Sequence, residues 1–199
     1  MAYQNKPKGF IFDLDGTLVT SDLDFVKMRD AVGCPEGQDI LTFVDQIADD
    51  NQRKLAHLSI VQMELDDALT ATWIRGAQAF VEQLARYDIP MAIVTRNCRV
   101  ATSMKITNNQ IPINTIITRE DAPSKPNPTA LTSIANEWAI APQQIAYVGD
   151  YLYDIQAANR ARMQAWSFGY QVQESGLDDQ IDKYFDCFTQ LLLADCIEC

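Results

Sequence analysis

Apolar residues recur along this chain in two rhythms. Short runs rich in β-branched and aromatic side chains occupy Gly9–Leu14, Pro90–Val94, Ile113–Thr118, Ile145–Val148 and Ala165–Phe168, each bounded by turn-forming residues. Continuous apolar runs of that length suit strands buried on both faces of a parallel sheet. Between them, Ala77, Phe80, Val81 and Leu84, and again Leu131, Ile134, Ala135 and Trp138, follow the i, i+3, i+4, i+7 spacing of one helix face. Strands alternating with helices predict an α/β fold: a doubly wound, mainly parallel, Rossmann-like sheet covered on both sides. The ligand site of such a sheet lies beyond the carboxyl ends of its strands, at the point where strand order reverses.

One segment breaks the alternation. From about Thr20 to Arg75 no strand is evident. A helix is expected near Asp24–Val32, followed by Gly33, Pro35 and Gly37. Beyond them one apolar stripe joins Ile40, Phe43, Val44 and Ile47, and another joins Leu58, Val61, Leu65 and Leu69. The expected division is a catalytic core of residues 1–19 and 76–199 with a small all-α insert, residues 20–75, after the first strand. The insert reads as a lid over the strand ends; the plainer reading is extra helices packed on the sheet.

Composition narrows the partners. Of 199 residues, 27 are acidic and 16 basic, a formal charge of −11. Sequence-independent binding to nucleic acid or anionic membrane draws on clustered Lys and Arg, so both partners are excluded. The N-terminus lacks the apolar stretch of a signal peptide, and no run approaches the length of a membrane span; a cytoplasmic protein is expected. The five cysteines, Cys34, Cys98, Cys187, Cys196 and Cys199, are odd in number and irregularly spaced, which does not suggest a disulfide framework. Cys196 and Cys199 form a C-x-x-C with too few companions for a zinc site.

Function becomes legible where strands end. The first runs into Asp13-Leu14-Asp15-Gly16-Thr17, placing two acids at the mouth of the sheet. Clustered carboxylates repel, so such pairs call for a cation or a shared proton. The second strand ends at Thr95-Arg96-Asn97, a hydroxyl and backbone N–H groups at a helix start, which suits an anion. Lys125-Pro126-Asn127-Pro128 precedes another helix, with Asn127 expected as N-cap and Pro128 at the first helical position. A later strand ends at Gly149-Asp150, with Asp154 one helical turn on. Taken singly, these are ordinary turns, caps and surface charges. Converging on one sheet edge, they assemble three or four carboxylates, a hydroxyl and a Lys, a hard-oxygen set that favours Mg²⁺.

These residues also carry a resemblance. Asp13-Leu14-Asp15-Gly16-Thr17-Leu18 resembles the first motif of the haloacid dehalogenase (HAD) superfamily, Thr95 its second, Lys125 its third, and Gly149-Asp150-Tyr151-Leu152-Tyr153-Asp154 its fourth. The match runs over about 140 residues, Asp13 to Asp154. The insert is similar to the C1-type cap of the subgroup that includes phosphoglycolate phosphatase and β-phosphoglucomutase.

The resemblance implies a phosphatase acting on a small phosphorylated metabolite. By similarity Asp13 is the nucleophile that forms an aspartyl-phosphate, and Asp15 the general acid and then base. Mg²⁺ would be held by Asp13, the Asp15 carbonyl and Asp150, with Asp154 supporting the metal's waters or orienting Lys125. Thr95, Arg96 and Lys125 would bind the phosphoryl oxygens. An acid at Asp15 favours phosphoryl transfer over halide displacement, which needs no proton donor. A sugar phosphomutase with the same core residues is the alternative, and a non-catalytic ligand-binding member a more remote one. Lys27, Arg29, Arg53, Lys54, His57 and Arg75 are the insert's candidates for a substrate's second anion. So short an insert suggests an open site and broad specificity for small phosphate esters.

Overall fold

The structure, a computed structural model, describes residues 6–169 and 178–192; Cys196 and Cys199 lie outside them. All five expected strands are present: β1 (Gly9–Phe12), β2 (Met91–Val94), β3 (Thr115–Ile117), β4 (Ile145–Gly149) and β5 (Gln164–Phe168). A sixth, β6 (Lys183–Phe185), joins them. It escapes the sequence pattern because it is three residues long, flanked by Asp182 and Asp186, and buries only Phe185. Every pairing is parallel, in the order β3-β2-β1-β4-β5-β6. The chain builds outward from β1 to β3 and then returns to β1's other side, so the switch point lies between β1 and β4.

Side-chain alternation along β1 explains the two layers. Phe10 and Phe12 face one way and Ile11 the other. The first face packs with Phe80, Val81 and Leu84 of α4 (Ala77–Arg86), and with Trp166, Phe185 and Phe188. Phe80 and Trp166 each meet the Phe10 ring edge-on at 5.4 Å. The second face packs with Leu131 and Ile134 of α6 (Thr129–Trp138) and Ile155 of α7 (Leu152–Arg160). Pro128 rather than Asn127 stands at the N-cap of α6, so this helix begins one residue later than the sequence suggests. The Asn127 side chain still accepts the Thr129 N–H at 2.9 Å.

Between β1 and α4 the chain forms three helices: α1 (Phe25–Val32), α2 (Ile40–Asp45) and α3 (Asp50–Ala68). Asp24, Asp39 and Asp49 cap their N-termini, and Gly33 closes α1 in the left-handed region. They share a small core of Met28, Cys34, Ile40, Val44, Ala56 and Ile60. The expected stripe on α3 is not its buried face. Leu58 and Leu69 are exposed, Val61 and Leu65 only partly buried, and the covered side carries Ala56, Ile60, Glu64, Asp67 and Ala68. Two acids occupy that side because α5 (Arg99–Asn109) and its flanks supply their partners, which hydrophobic spacing cannot reveal.

Candidate active site

The switch point gathers the strand-end acids. Asp13 directly follows β1, and its N–H donates to Val148 of β4 at 2.8 Å. Carboxylate oxygens of Asp13, Asp150 and Asp154 all lie within 4.8 Å of one another. Two glycines permit this crowding. Gly16 has φ +73°, and a Cβ there would stand 2.3 Å from Asp150 Oδ2; a Cβ on Gly149 would stand 2.3 Å from the Asp154 carboxyl carbon. Thr17 Oγ1 donates to Asp150 Oδ1 at 2.7 Å.

Lys125 is buried among these groups. Its ammonium lies 2.7 Å from Asp13 Oδ1 and donates to Asp154 Oδ1 at 2.7 Å. Tyr147 donates its hydroxyl to the same Asp154 oxygen at 3.0 Å, and Asp154 Oδ2 accepts the Tyr151 N–H at 3.0 Å. Burial alone would lower the Lys125 pKa; the charges of Asp13 and Asp154 outweigh it and raise the pKa instead. One ammonium does not neutralise three acids. Burial, offset in part by Lys125 and reinforced by Asp154 and Asp150, pushes Asp13 up to about 8. Burial and the Asp154 charge push Asp150 up to about 7. Hard oxygen donors this close, with protons retained for want of positive charge, fit a divalent cation.

Asp15 is held apart from that cluster. One carboxylate oxygen accepts from Lys105 and the other from the Asn97 side chain. Lys105, on α5, is fully buried and also donates to Asp67 of α3 at 2.6 Å. Asp67 in turn accepts from Ser21 Oγ at 3.0 Å and the Asp22 N–H at 2.6 Å, where the chain leaves the sheet for the helices. Burial raises the Asp15 pKa, with Lys105 opposing.

Thr95 is buried beside them, its Oγ1 accepting the Asn97 N–H at 3.1 Å. Several backbone donors here are already used: besides Asn97, the Thr95 N–H bonds Ile117 at 3.0 Å and the Cys98 N–H bonds Glu64 at 3.0 Å. The helix itself starts only at Arg99. Thr95 therefore offers its hydroxyl, its own N–H being taken. Arg96, expected at the phosphate, is engaged elsewhere. It donates to the Lys125 carbonyl at 2.7 Å and to Asp39, and lies 4.8 Å from the centre of the Tyr153 ring.

A cavity of about 860 Å³ covers these groups, walled by β-strand ends on one side and α1, α2 and α3 on the other. Of the six basic candidates in the insert, Arg29 alone lines it. Lys27 pairs with Asp24, Arg53 with Asp50 and His57 with Asp45; Lys54 and Arg75 are exposed. Lys105, Asp67, Glu64 and Asp39, each inside a helix or at a cap, and Asn97, in the loop after β2, were not legible as site residues, since each acquires its partner only through folding.

A family model described as haloacid dehalogenase-like hydrolase matches residues 27–167. A haloacid dehalogenase-like hydrolase domain-containing protein of Arabidopsis thaliana is 29% identical, covering 85% of this chain and 72% of the relative. A phosphoglycolate phosphatase of Pectobacterium atrosepticum is 26% identical, covering 96% and 94%. A hydrolase from Pseudomonas syringae shares the fold, with a TM-score of 0.75 at 20% identity over 92% of this chain and 95% of that one. With a six-stranded parallel sheet and four strand-end motifs converging at its switch point, this chain belongs to the haloacid dehalogenase-like hydrolase family.

Proposed function

We propose that this hydrolase is a Mg²⁺-dependent phosphatase that cleaves a small-molecule phosphate monoester through an aspartyl-phosphate at Asp13. The observation that carries the reading is the meeting of Asp13, Lys125, Asp150 and Asp154 at the β1/β4 switch point. The relative named as a phosphoglycolate phosphatase supports it.

Asp13 attacks phosphorus as the ester oxygen departs, giving an acyl phosphate on its carboxyl group. Lys125 and the Thr95 hydroxyl bind the phosphoryl oxygens, whose charge must be stabilised as the group transfers. Asp15 gives a proton to the departing alkoxide. Its burial raises its pKa, which favours the protonated form this step requires. The resulting carboxylate then takes a proton from the water that hydrolyses the acyl phosphate. Asp154 orients Lys125, and Arg96 fixes the backbone of Lys125 from behind.

The Asp13 and Asp150 carboxylates and the Asp15 carbonyl are the groups that would hold Mg²⁺. Once bound, the ion offsets the repulsion between Asp13 and an anionic phosphate. Residues 20–75 act as a cap over the site, tied to the core by Asp39–Arg96, Glu64–Arg119 and Asp67–Lys105.

Phosphate release from p-nitrophenyl phosphate and a panel of sugar, glycolate and nucleotide phosphates, with Mg²⁺ and with chelator, tests the reading. Mg²⁺-dependent release of free phosphate is expected. A sugar phosphate returned as its isomer with little free phosphate contradicts it and indicates a mutase.

A further inference from the structure

The cavity of about 860 Å³ lies toward the upper end of volumes that enclose drug-sized ligands. A phosphate carrying a two-carbon acid would leave most of it unfilled. Its cations, meanwhile, already have partners. Lys125 serves Asp13 and Asp154, Arg96 serves Asp39, and behind the wall Lys105 and Arg119 serve Asp15 and Glu64. Arg29 turns one terminal nitrogen to the Pro35 and Gln38 carbonyls, at 2.5 and 2.9 Å. Among the described residues lining the cavity, every cation outside the phosphate site has such partners. The acids that line the cavity, Asp13, Asp15, Asp39, Glu64, Asp150 and Asp154, outnumber the cations lining it, Arg29, Arg96 and Lys125, which disfavours a second anion.

Apolar surface, by contrast, is left facing the space. Phe25 is 63% exposed at the rim and Tyr151 is 48% exposed. Tyr151 and Tyr153 meet edge to face at 5.2 Å, and Leu23 and Leu41 complete that wall. A ring or other broad apolar body entering here would cover these side chains and gain the offset or edge contacts aromatic groups favour. A carboxylate or second phosphate would find Lys125 and Arg96 already in ion pairs, and would have to draw Arg29 away from the Pro35 and Gln38 carbonyls.

We propose that the preferred substrate is a phosphate monoester whose leaving group is uncharged and presents an aromatic or similarly broad apolar face. The proposal rests on the phosphatase reading and specifies the substrate class of the same site. It narrows the broad tolerance that the insert's length suggests, and it sets this chain apart from an enzyme selecting an anionic leaving group such as glycolate.

The test compares three alkyl esters, 2-phenylethyl phosphate, ethyl phosphate and 2-phosphoglycolate. It measures kcat/KM with Mg²⁺ and, separately, calorimetric binding to the Asp13→Asn protein. Preference for 2-phenylethyl phosphate over both others by about 10-fold or more is expected. Phe25→Ala is expected to shrink its advantage over ethyl phosphate about threefold. Turnover with 2-phosphoglycolate equal or better overturns the substrate class while leaving the phosphatase reading intact. Absent turnover of all three, with the same order of affinity in Asp13→Asn, sinks the phosphatase reading and supports the pocket's preference. Neither turnover nor ordered binding overturns both, and an undiminished preference in Phe25→Ala overturns the aromatic wall.

Discussion

The ammonium of Lys105 joins Asp15, two residues beyond Asp13, to Asp67 on α3, and no part of Lys105 reaches solvent. One buried charge thus sets the position of Asp15 and anchors the helical insert. Lys105→Met would leave two carboxylates buried without their cation, at a cost of roughly 3–5 kcal/mol. Denaturant unfolding checks that figure. The substitution also removes what opposes the burial-raised pKa of Asp15, so the pH–rate profile should move upward, whereas Lys105→Arg should restore much of it. A Lys105→Met profile superimposable on the parent's would leave Lys105 a purely structural role.

Asp15→Asn should distinguish leaving groups. If Asp15 donates the proton, its loss slows ethyl phosphate, with its poor leaving group, by about 10²–10⁴-fold and p-nitrophenyl phosphate far less. An equal loss for both esters would count against the acid role.

The acid cluster makes the metal-free protein sensitive to pH in a defined direction. Unfolded, Asp13 and Asp150 ionise near 3.8; folded, they keep protons until about 8 and about 7. Between those limits the folded state binds more protons, so stability falls as pH rises through the window. The melting temperature of the metal-free protein should therefore drop from about pH 5 to about pH 8.5, and Asp150→Asn should flatten the slope. Mg²⁺ should stabilise most at the upper end, where it displaces no protons. Parallel slopes for parent and variant would show that the cluster is not their source.

Gly16→Ala tests the crowding in the Asp13–Asp150–Asp154 cluster. The added Cβ would meet Asp150 Oδ2 at 2.3 Å from a backbone with φ +73°. A loss of about 1–3 kcal/mol, with weaker Mg²⁺ binding by calorimetry, is expected. Unchanged Mg²⁺ affinity would show that Asp150 can shift without consequence.

Five strands and the converging ends of β1, β2 and β4 were readable because buried parallel strands are continuous apolar runs and the acids follow them directly. What escaped detection has a common cause. Lys105 occupies a helix interior where a lysine reads as solvated, and Glu64 and Asp67 sit on the buried side of α3, displaced from the Leu58–Leu69 stripe. Their meaning lies in pairs 38 to 90 positions apart in sequence, a separation that no periodicity encodes. Arg96 shows the converse: it lies in the expected loop, but Asp39 and the Lys125 carbonyl claim its guanidinium.

The central claim is covalent catalysis by Asp13. Acid quench during turnover of p-nitrophenyl phosphate with Mg²⁺, followed by peptide mass spectrometry, tests it most directly. The account predicts one phosphoryl group on the peptide containing Asp13, and neither adduct nor turnover in a folded Asp13→Asn protein. A phosphoryl group on another residue, or Asp13→Asn retaining substantial turnover, would contradict it.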